Sequence, residues 1–301
     1  MAFFSGALGK SQKAGNGMLT DFGQLIKIRL SLTVVFSSFL AYWAALPPDA
    51  SLWQRLPAFL MGGFLLTAAA NALNQVIEKD YDALMGRTAT RPLPSGRMGA
   101  DTAILAAGLM SVAGLIALAT FTVWAALLGA VSLILYAFVY TPLKRISPLA
   151  VTVGAIPGAI PVLIGALAAR GDWSPLGWAL FGIQFFWQFP HFFAIAWLGH
   201  QDYHRAGFRI SPENGQEPGV AIGRQAFGHS LFLLPVLLLC LPFNLLSWIA
   251  IFPVLVMTLV YITLSYWLYR RNDKKAALSL LFFSFVYIPA VFFLFLFDNS
   301  F

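Results

Sequence analysis

The chain has 301 residues, 59% of them apolar and only 10% charged, with a mean hydropathy of +0.77. Soluble domains carry about 45–50% apolar and about 25% charged residues, so this chain cannot cover itself with polar surface and must use lipid as part of its solvent. A soluble enzyme, a disordered chain and a nucleic-acid-binding domain are thereby excluded, and the net charge of +7 becomes a statement about membrane topology. The single cysteine, Cys240, lies in an apolar run and excludes disulfide frameworks and thiolate metal sites.

A spanning helix needs about 20 mostly apolar residues. In chain order, such runs are expected near 24–46, 52–75, 101–119, 122–140, 148–169, 175–199, 227–246, 248–269 and 278–297. The stretch 101–140 has no charge to mark its break. At about 1.5 Å per residue it is too long for one span, and Thr120–Thr122 is the expected interruption. The result is an all-α integral membrane protein of nine helices in a single domain over 1–301, with residues 1–23 as a cytoplasmic tail.

Charge placement tests that count. With a cytoplasmic N-terminus, nine spans leave only Arg55 and Arg170 of the 19 lysines and arginines outside, as the positive-inside rule requires. The C-terminus then lies outside. Residues 1–23 lack a long apolar segment followed by a small-residue cleavage site, and they are too short and glycine-rich for a mitochondrial presequence. A bacterial cytoplasmic membrane is the simplest address.

Two cytoplasmic connections, after spans 2 and 6, are long and hold half of the 12 acids. In the first, Asn74, Glu78 and Asp82 are spaced by four and share one helix face, while Asp80 points away. This stripe has oxygen donors but no Cys or His, which suits a hard divalent cation such as Mg²⁺. Arg87 and Arg91 follow at four-residue spacing, suited to bidentate contact with phosphate oxygens. Carboxylates and arginines together at a membrane surface suggest a diphosphate head group whose lipid tail enters the bundle. The competing reading is a solvated loop laced with surface ion pairs; Asn71 and Asn74, which carry the stripe back into the span, weigh against it. The second connection runs from His200 through Asp202 and Tyr203 to Arg224. His191 lies about 13 Å before the end of span 6 by helical rise, whereas His200 and His204 read as surface residues.

At these motifs the chain resembles the UbiA superfamily of intramembrane prenyltransferases, and within it the heme O synthase branch. Asn74-x-x-x-Glu78-x-x-x-Asp82 falls on the superfamily's N-x-x-x-D-x-x-x-D pattern, with Glu78 in place of the usual Asp. Asp80-Tyr81-Asp82 through Arg87-Thr88 and Arg91-Pro92-Leu93 is similar to the branch's continuation, as is Tyr140-Thr141-Pro142-Leu143-Lys144-Arg145. Gly154 to Gly165, Trp187-Gln188-Phe189-Pro190-His191-Phe192 and Asp202-Tyr203-His204-Arg205-Ala206-Gly207 follow in the expected order. Ala206 stands where broader superfamily members often place a second aspartate, which favours the heme branch.

The resemblance implies a UbiA-type bundle in which the loops after helices 2 and 6 cap the site. It implies transfer of a farnesyl group from farnesyl diphosphate to a vinyl group of heme B, with water supplying a hydroxyl, to give heme O for heme-copper terminal oxidases. Asn74, Glu78, Asp82 and Asp202 become the catalytic and Mg²⁺-holding residues. Arg87, Arg91, Lys144 and Arg145 become contacts for diphosphate or heme propionates. His191 becomes a residue of the heme site. Farnesyl diphosphate, heme B and the bilayer are the implied partners, with heme A synthase as a prospective one and no nucleic acid. Two rivals remain at this stage. One is a sibling enzyme acting on an aromatic or quinone precursor, which should show the doubled second aspartate motif. The other is a multispan heme transporter, whose polar groups should gather at the bilayer midplane.

Overall fold

A computed structural model describes residues 17–47, 55–210 and 217–298. Among them the chain is entirely helical, with no strand. Two helices open it, α1 (Met18–Leu25) and α2 (Ile28–Ala44), bent by 50° at their junction. There follow α3 (Leu56–Ile77), α4 (Lys79–Asp82), α5 (Ala100–Ala119) and α6 (Val123–Ile134). The last runs into a π-helical segment, Leu135–Tyr140, and one further turn, α7 (Thr141–Leu143). The second half comprises α8 (Ala150–Arg170), α9 (Pro175–Leu198), α10 (His200–Arg205), α11 (Val220–Ser230), α12 (Leu233–Cys240), α13 (Trp248–Arg271) and α14 (Lys274–Phe297).

Among the described residues eight helices are long and apolar enough to cross a membrane, and nine if the bent α1–α2 pair counts as one span. The expected break within 101–140 is present: Thr122 caps α6 by accepting from the Ala125 amide at 2.9 Å. Arg55 reinforces that corner, its guanidinium 4.4 Å from the Phe121 ring centre and donating to the Thr120 carbonyl. The last residues of the stretch read as a tail are helical, since α1 starts at Met18, and residues 1–16 of it lie outside the described residues. One expectation is corrected. Span 7 begins at Val220 rather than 227, so Arg224 lies on a helix and not in the connection. The single charge of Arg224 was taken as a boundary, but it sits in the helix's early turns, where a span can carry it.

The helix α8 is the most buried span and organises the bundle. Lipid offers no hydrophobic drive for helices to associate, so close packing and interhelical hydrogen bonds must supply it. Gly165 permits the first: a Cβ there would lie 2.2 Å from the Ser38 carbonyl oxygen of α2. The internal prolines Pro157 and Pro161 invite the second. Pro161 has no N–H for the Pro157 carbonyl four residues back, and Ser132 of α6 donates its hydroxyl there at 3.1 Å. Ser38 likewise donates to the Pro161 carbonyl. The outward faces of α5, α6 and α13 carry exposed Leu, Ile, Val, Phe and Trp, as a lipid-facing surface must.

Candidate active site

At one end of α3 the polar stripe is buried rather than solvated. Asn71, Asn74, Gln75, Glu78 and Asp82 are each at most 5% exposed, while Lys79 and Asp80 face outward. Helix α3 ends at Ile77 and α4 resumes after Glu78, so the face carries across a small break. Asn74 Nδ2 donates to Glu78 Oε2 at 2.9 Å, which locks the first two members together. Thr88 folds the following loop back by donating to the Asp82 carbonyl at 2.7 Å. That fold brings Arg91 onto its target.

Each member of the stripe is met by a cation from a different segment. Arg91 Nη1 pairs with Asp82 Oδ2 at 2.6 Å. Lys144 pairs with Glu78 Oε1. Lys27 Nζ donates to Asn74 Oδ1 at 2.6 Å. Arg91, Glu78, Lys144 and Asp82 all contribute to the electrostatic surroundings of Lys27, so the three contacts form one cluster. Buried carboxylates need such partners, since stripping one of charge compensation costs several kcal/mol by order of magnitude.

Local conformation aims these groups. Lys27 has left-handed backbone angles, φ 47° and ψ 54°, which cost a non-glycine residue about 1–2 kcal/mol. The cost is offset around it: Gln75 Nε2 donates to the carbonyls of Gln24 (2.8 Å) and Leu25 (2.6 Å), and Ser31 donates to Ile26 (2.7 Å). On the other side, the π-helical segment widens the turn before Thr141. The Thr141 hydroxyl donates to the Tyr136 carbonyl at 2.8 Å and accepts from Asn74 Nδ2 at 3.0 Å. Tyr136 in turn donates to Asn71 Oδ1 at 3.3 Å. π turns recur at functional sites because they reorient side chains without ending the helix.

The second connection covers the first. Arg145 lies over the Tyr81 ring at 3.9 Å, and Arg87 sits 5.8 Å from the Tyr203 ring centre with Nη2 donating to its hydroxyl at 3.4 Å. Lys144 approaches the rings of Tyr140 (4.8 Å) and Phe208 (5.5 Å). The Arg209 amide donates to the Lys144 carbonyl at 2.7 Å, and Met85, Ala206 and Phe208 bury one another. Beneath this cap lies a small cleft lined by Tyr140, Val151, Phe192, Ile195, Tyr203 and Ile210.

Asp202, by contrast, is half-buried on α10 and does not join the stripe: among the described residues no three His, Cys, Asp or Glu side chains could hold one metal ion. His200 corrects its surface assignment. Just after the break at Gly199 it turns inward and is buried, while His204 stays exposed. His191 is buried between α9 and α14, stacked on Trp187 at 4.9 Å, with Nδ1 2.7 Å from Ser284 Oγ. Ser284 gives its own proton to the Leu281 carbonyl, which makes Nδ1 the donor and leaves the lone pair on Nε2. Sequence reasoning missed Lys27, Tyr136 and Thr141. The first was counted only as a topological charge, although its place at the head of an apolar run was the available signal.

Buried oxygen donors, clustered cations and an aromatic cap at the end of an apolar helical bundle define the candidate active site of a membrane enzyme. The family's sequence profile, described as the UbiA prenyltransferase family, matches residues 34–287, and the chain belongs to that family. It is a prenyltransferase. It is 40% identical over 278 residues to protoheme IX farnesyltransferase of Cytophaga hutchinsonii, covering 92% of this chain and 96% of that one. Its fold is similar to that of a digeranylgeranylglyceryl phosphate synthase (TM-score 0.78, 14% identity, 93% and 98% covered). It is also similar to that of a UbiA homolog from Archaeoglobus fulgidus bound to DMAPP and Mg²⁺ (TM-score 0.66, 17% identity, 91% and 99% covered).

Proposed function

We propose that this chain transfers the farnesyl group of farnesyl diphosphate to a vinyl group of protoheme IX, giving heme O. The name of the Cytophaga relative supports the substrate pair. The observation that carries the chemistry is the stripe Asn74–Glu78–Asp82, buried and held donor by donor against Lys27, Lys144 and Arg91. Ala206 supports the heme branch: it is buried against Met85 and Phe208, an apolar contact where a second aspartate would lack a partner.

The donor set suits a hard divalent cation. Its oxygens are buried, no thiol or imidazole intrudes, and each already faces positive charge. Asn74, Glu78 and Asp82 would hold Mg²⁺, with Asp202 on the cap as a further proposed ligand. When bound, that ion neutralises charge on the departing diphosphate. The chain's own residues do the rest. Arg91, Lys144, Arg87 and Arg145 contact phosphate oxygens or heme propionates. As the allylic C–O bond breaks, the leaving diphosphate takes the electron pair, and the vinyl carbon attacks the farnesyl cation. The positive charge passes to the neighbouring heme carbon, which takes water and loses a proton. The aromatic cap of Tyr81, Tyr203 and Phe208 excludes water until the carbon–carbon bond has formed. His191 presents Nε2 to orient or ligate the heme.

The proposed address is a bacterial cytoplasmic membrane, with the cap and N-terminus inside and the C-terminus outside. The deciding assay combines purified protein, heme B, farnesyl diphosphate and Mg²⁺, with pigments analysed by mass spectrometry. Heme O is expected. No farnesylated product under saturating substrates overturns the reading.

A further inference from the structure

Asn272 ends α13 in the left-handed region, φ 45° and ψ 44°, with its backbone amide donating to the Leu268 carbonyl at 2.9 Å. Asparagine tolerates that conformation better than most residues. Both poles of its side-chain amide are used. Oδ1 accepts from Trp197 Nε1 at 2.8 Å, and Nδ2 donates to the Pro218 carbonyl at 2.9 Å. An indole N–H can only donate and a backbone carbonyl can only accept, so the network dictates which way the amide lies. The two partners stand at the two ends of the connection after α9. Trp197 is in the last turn of α9, and Pro218 precedes Gly219, the cap of α11. One side chain, 75 and 54 residues away in sequence, therefore ties both ends.

The base so formed is stiff. A Cβ at Gly223 would lie 2.5 Å from the Tyr269 Cα, so α11 and the end of α13 run backbone against backbone. Gln201 Nε2 donates to Glu217 Oε1 at 3.3 Å, a second tie between the two ends. From the base to the cap the path is short. The Tyr203 amide donates to the Gly199 carbonyl at 3.0 Å, and a Cβ at Gly199 would meet the Tyr203 ring at 2.9 Å. The Phe208 amide donates to the Tyr203 carbonyl at 2.9 Å. A shift of Trp197 thus passes through Gly199 to Tyr203 and Phe208, the rings that face Arg87 and Lys144.

We propose that Asn272 is a positioning residue for prenyl transfer: by holding Trp197 and Pro218 together it sets the separation of the cap's two ends, and so keeps Tyr203 and Phe208 seated while the farnesyl cation exists. It touches no reacting atom. The inference rests on the reading of this end of the bundle as a farnesyl-transfer site. Its consequence lies in the products. With the cap seated, the vinyl carbon takes the cation. With the cap loosened, a water oxygen forms the new C–O bond instead, loses a proton to solvent and gives farnesol, while diphosphate leaves with the same electron pair. The groups that promote ionisation are untouched, so cleavage of farnesyl diphosphate continues and the farnesyl group changes destination.

The test uses purified full-length protein with farnesyl diphosphate, heme B and Mg²⁺. Farnesol and heme O are counted together, and amide hydrogen exchange is followed over residues 200–210. Asn272→Gly is the sharp variant, because glycine accepts the left-handed backbone while both side-chain ties are lost. The farnesol-to-heme O ratio should rise about tenfold, with farnesyl diphosphate consumption within about threefold of wild type. Residues 200–210 should exchange about tenfold faster. Trp197→Phe keeps an aromatic ring but loses the indole donor. It should raise both readouts about threefold, and it carries the test if Asn272→Gly fails to fold. A residue that merely supports the fold would lower both products in parallel at an unchanged ratio, and that result overturns the proposal. So does a raised ratio without faster exchange, which would place the effect away from the cap. Heme O from the wild type with parallel losses in both variants sinks the proposal and leaves the transferase reading standing. A wild type that consumes no farnesyl diphosphate sinks both.

Discussion

The connection after α3 and the connection after α9 look alike in sequence, since each is a polar, acid-bearing stretch following a long apolar helix. In the structure they are opposites. In the first, Glu78 and Asp82 are buried and each is ion-paired; in the second, Asp202 is half-buried and lies apart, and the segment contributes Tyr203, Ala206 and Phe208 as covering surface. The difference teaches that acids alike in sequence part company through burial and pairing: a buried charge is expensive and needs a specific cation to answer it. The first connection holds paired charge, and the second packs apolar and aromatic side chains beside it.

Substitutions can break or sharpen that contrast. The largest effect is expected at Asp82. Asp82→Asn keeps size but removes a buried charge that pairs with Arg91 and that the proposed Mg²⁺ site requires, and heme O turnover should drop about 10³-fold with the protein still in the membrane. Wild-type-like yield would dissolve the distinction between the two loops. At Glu78 the effect should depend on charge more than length. Glu78→Gln should lose about 10²-fold, while Glu78→Asp should stay within about tenfold and need more Mg²⁺. Superimposable Mg²⁺-dependence curves for the two would place Glu78 outside the site. Asp202→Asn is expected to cost only about tenfold, because its carboxylate is half-buried and lies apart from the stripe; a loss as deep as that of Asp82→Asn would make the two connections equivalent. Smallest in turnover is His191→Ala, which should shift the heme absorption spectrum and weaken heme affinity by about tenfold while leaving pyrophosphate binding alone. An unchanged spectrum would return His191 to packing between Trp187 and Ser284.

Much of this arrangement is legible in the sequence, for physical reasons. Nine spans follow from hydropathy and charge placement, and the structure counts eight helices plus one bent pair. The four-residue spacing of Asn74, Glu78 and Asp82 survives because one helix face carries it, with Asp80 exposed as the period requires. What spacing does not convey is pairing between distant segments. Lys27 meets Asn74 across 47 residues and Thr141 meets it across 67. Neither contact has a periodic signature. The start of α11 was misplaced because a lone arginine ends an apolar run on paper but not in a helix. His200 was misplaced because burial after a helix break depends on where α10 turns, and no local pattern records that.

The π-helical segment has a consequence for how this protein can be altered. A wide turn of this kind holds one residue more than a regular helix needs, and the flanking parts of the helix keep their facing on either side of it. Val139 lies in that segment and is 40% exposed on the outer surface. Deleting it should let the ladder close into an ordinary α-helix that still spans, still packs on α8 and melts at the same temperature or higher, since α turns are the better bonded. The Thr141 hydroxyl would lose its seat on the Tyr136 carbonyl, and Asn74 its link to that hydroxyl. On this reading the deletion separates fold from turnover: a variant that melts like the parent but turns over far less is the expected outcome, and unchanged turnover would leave the wide turn without a part in the site.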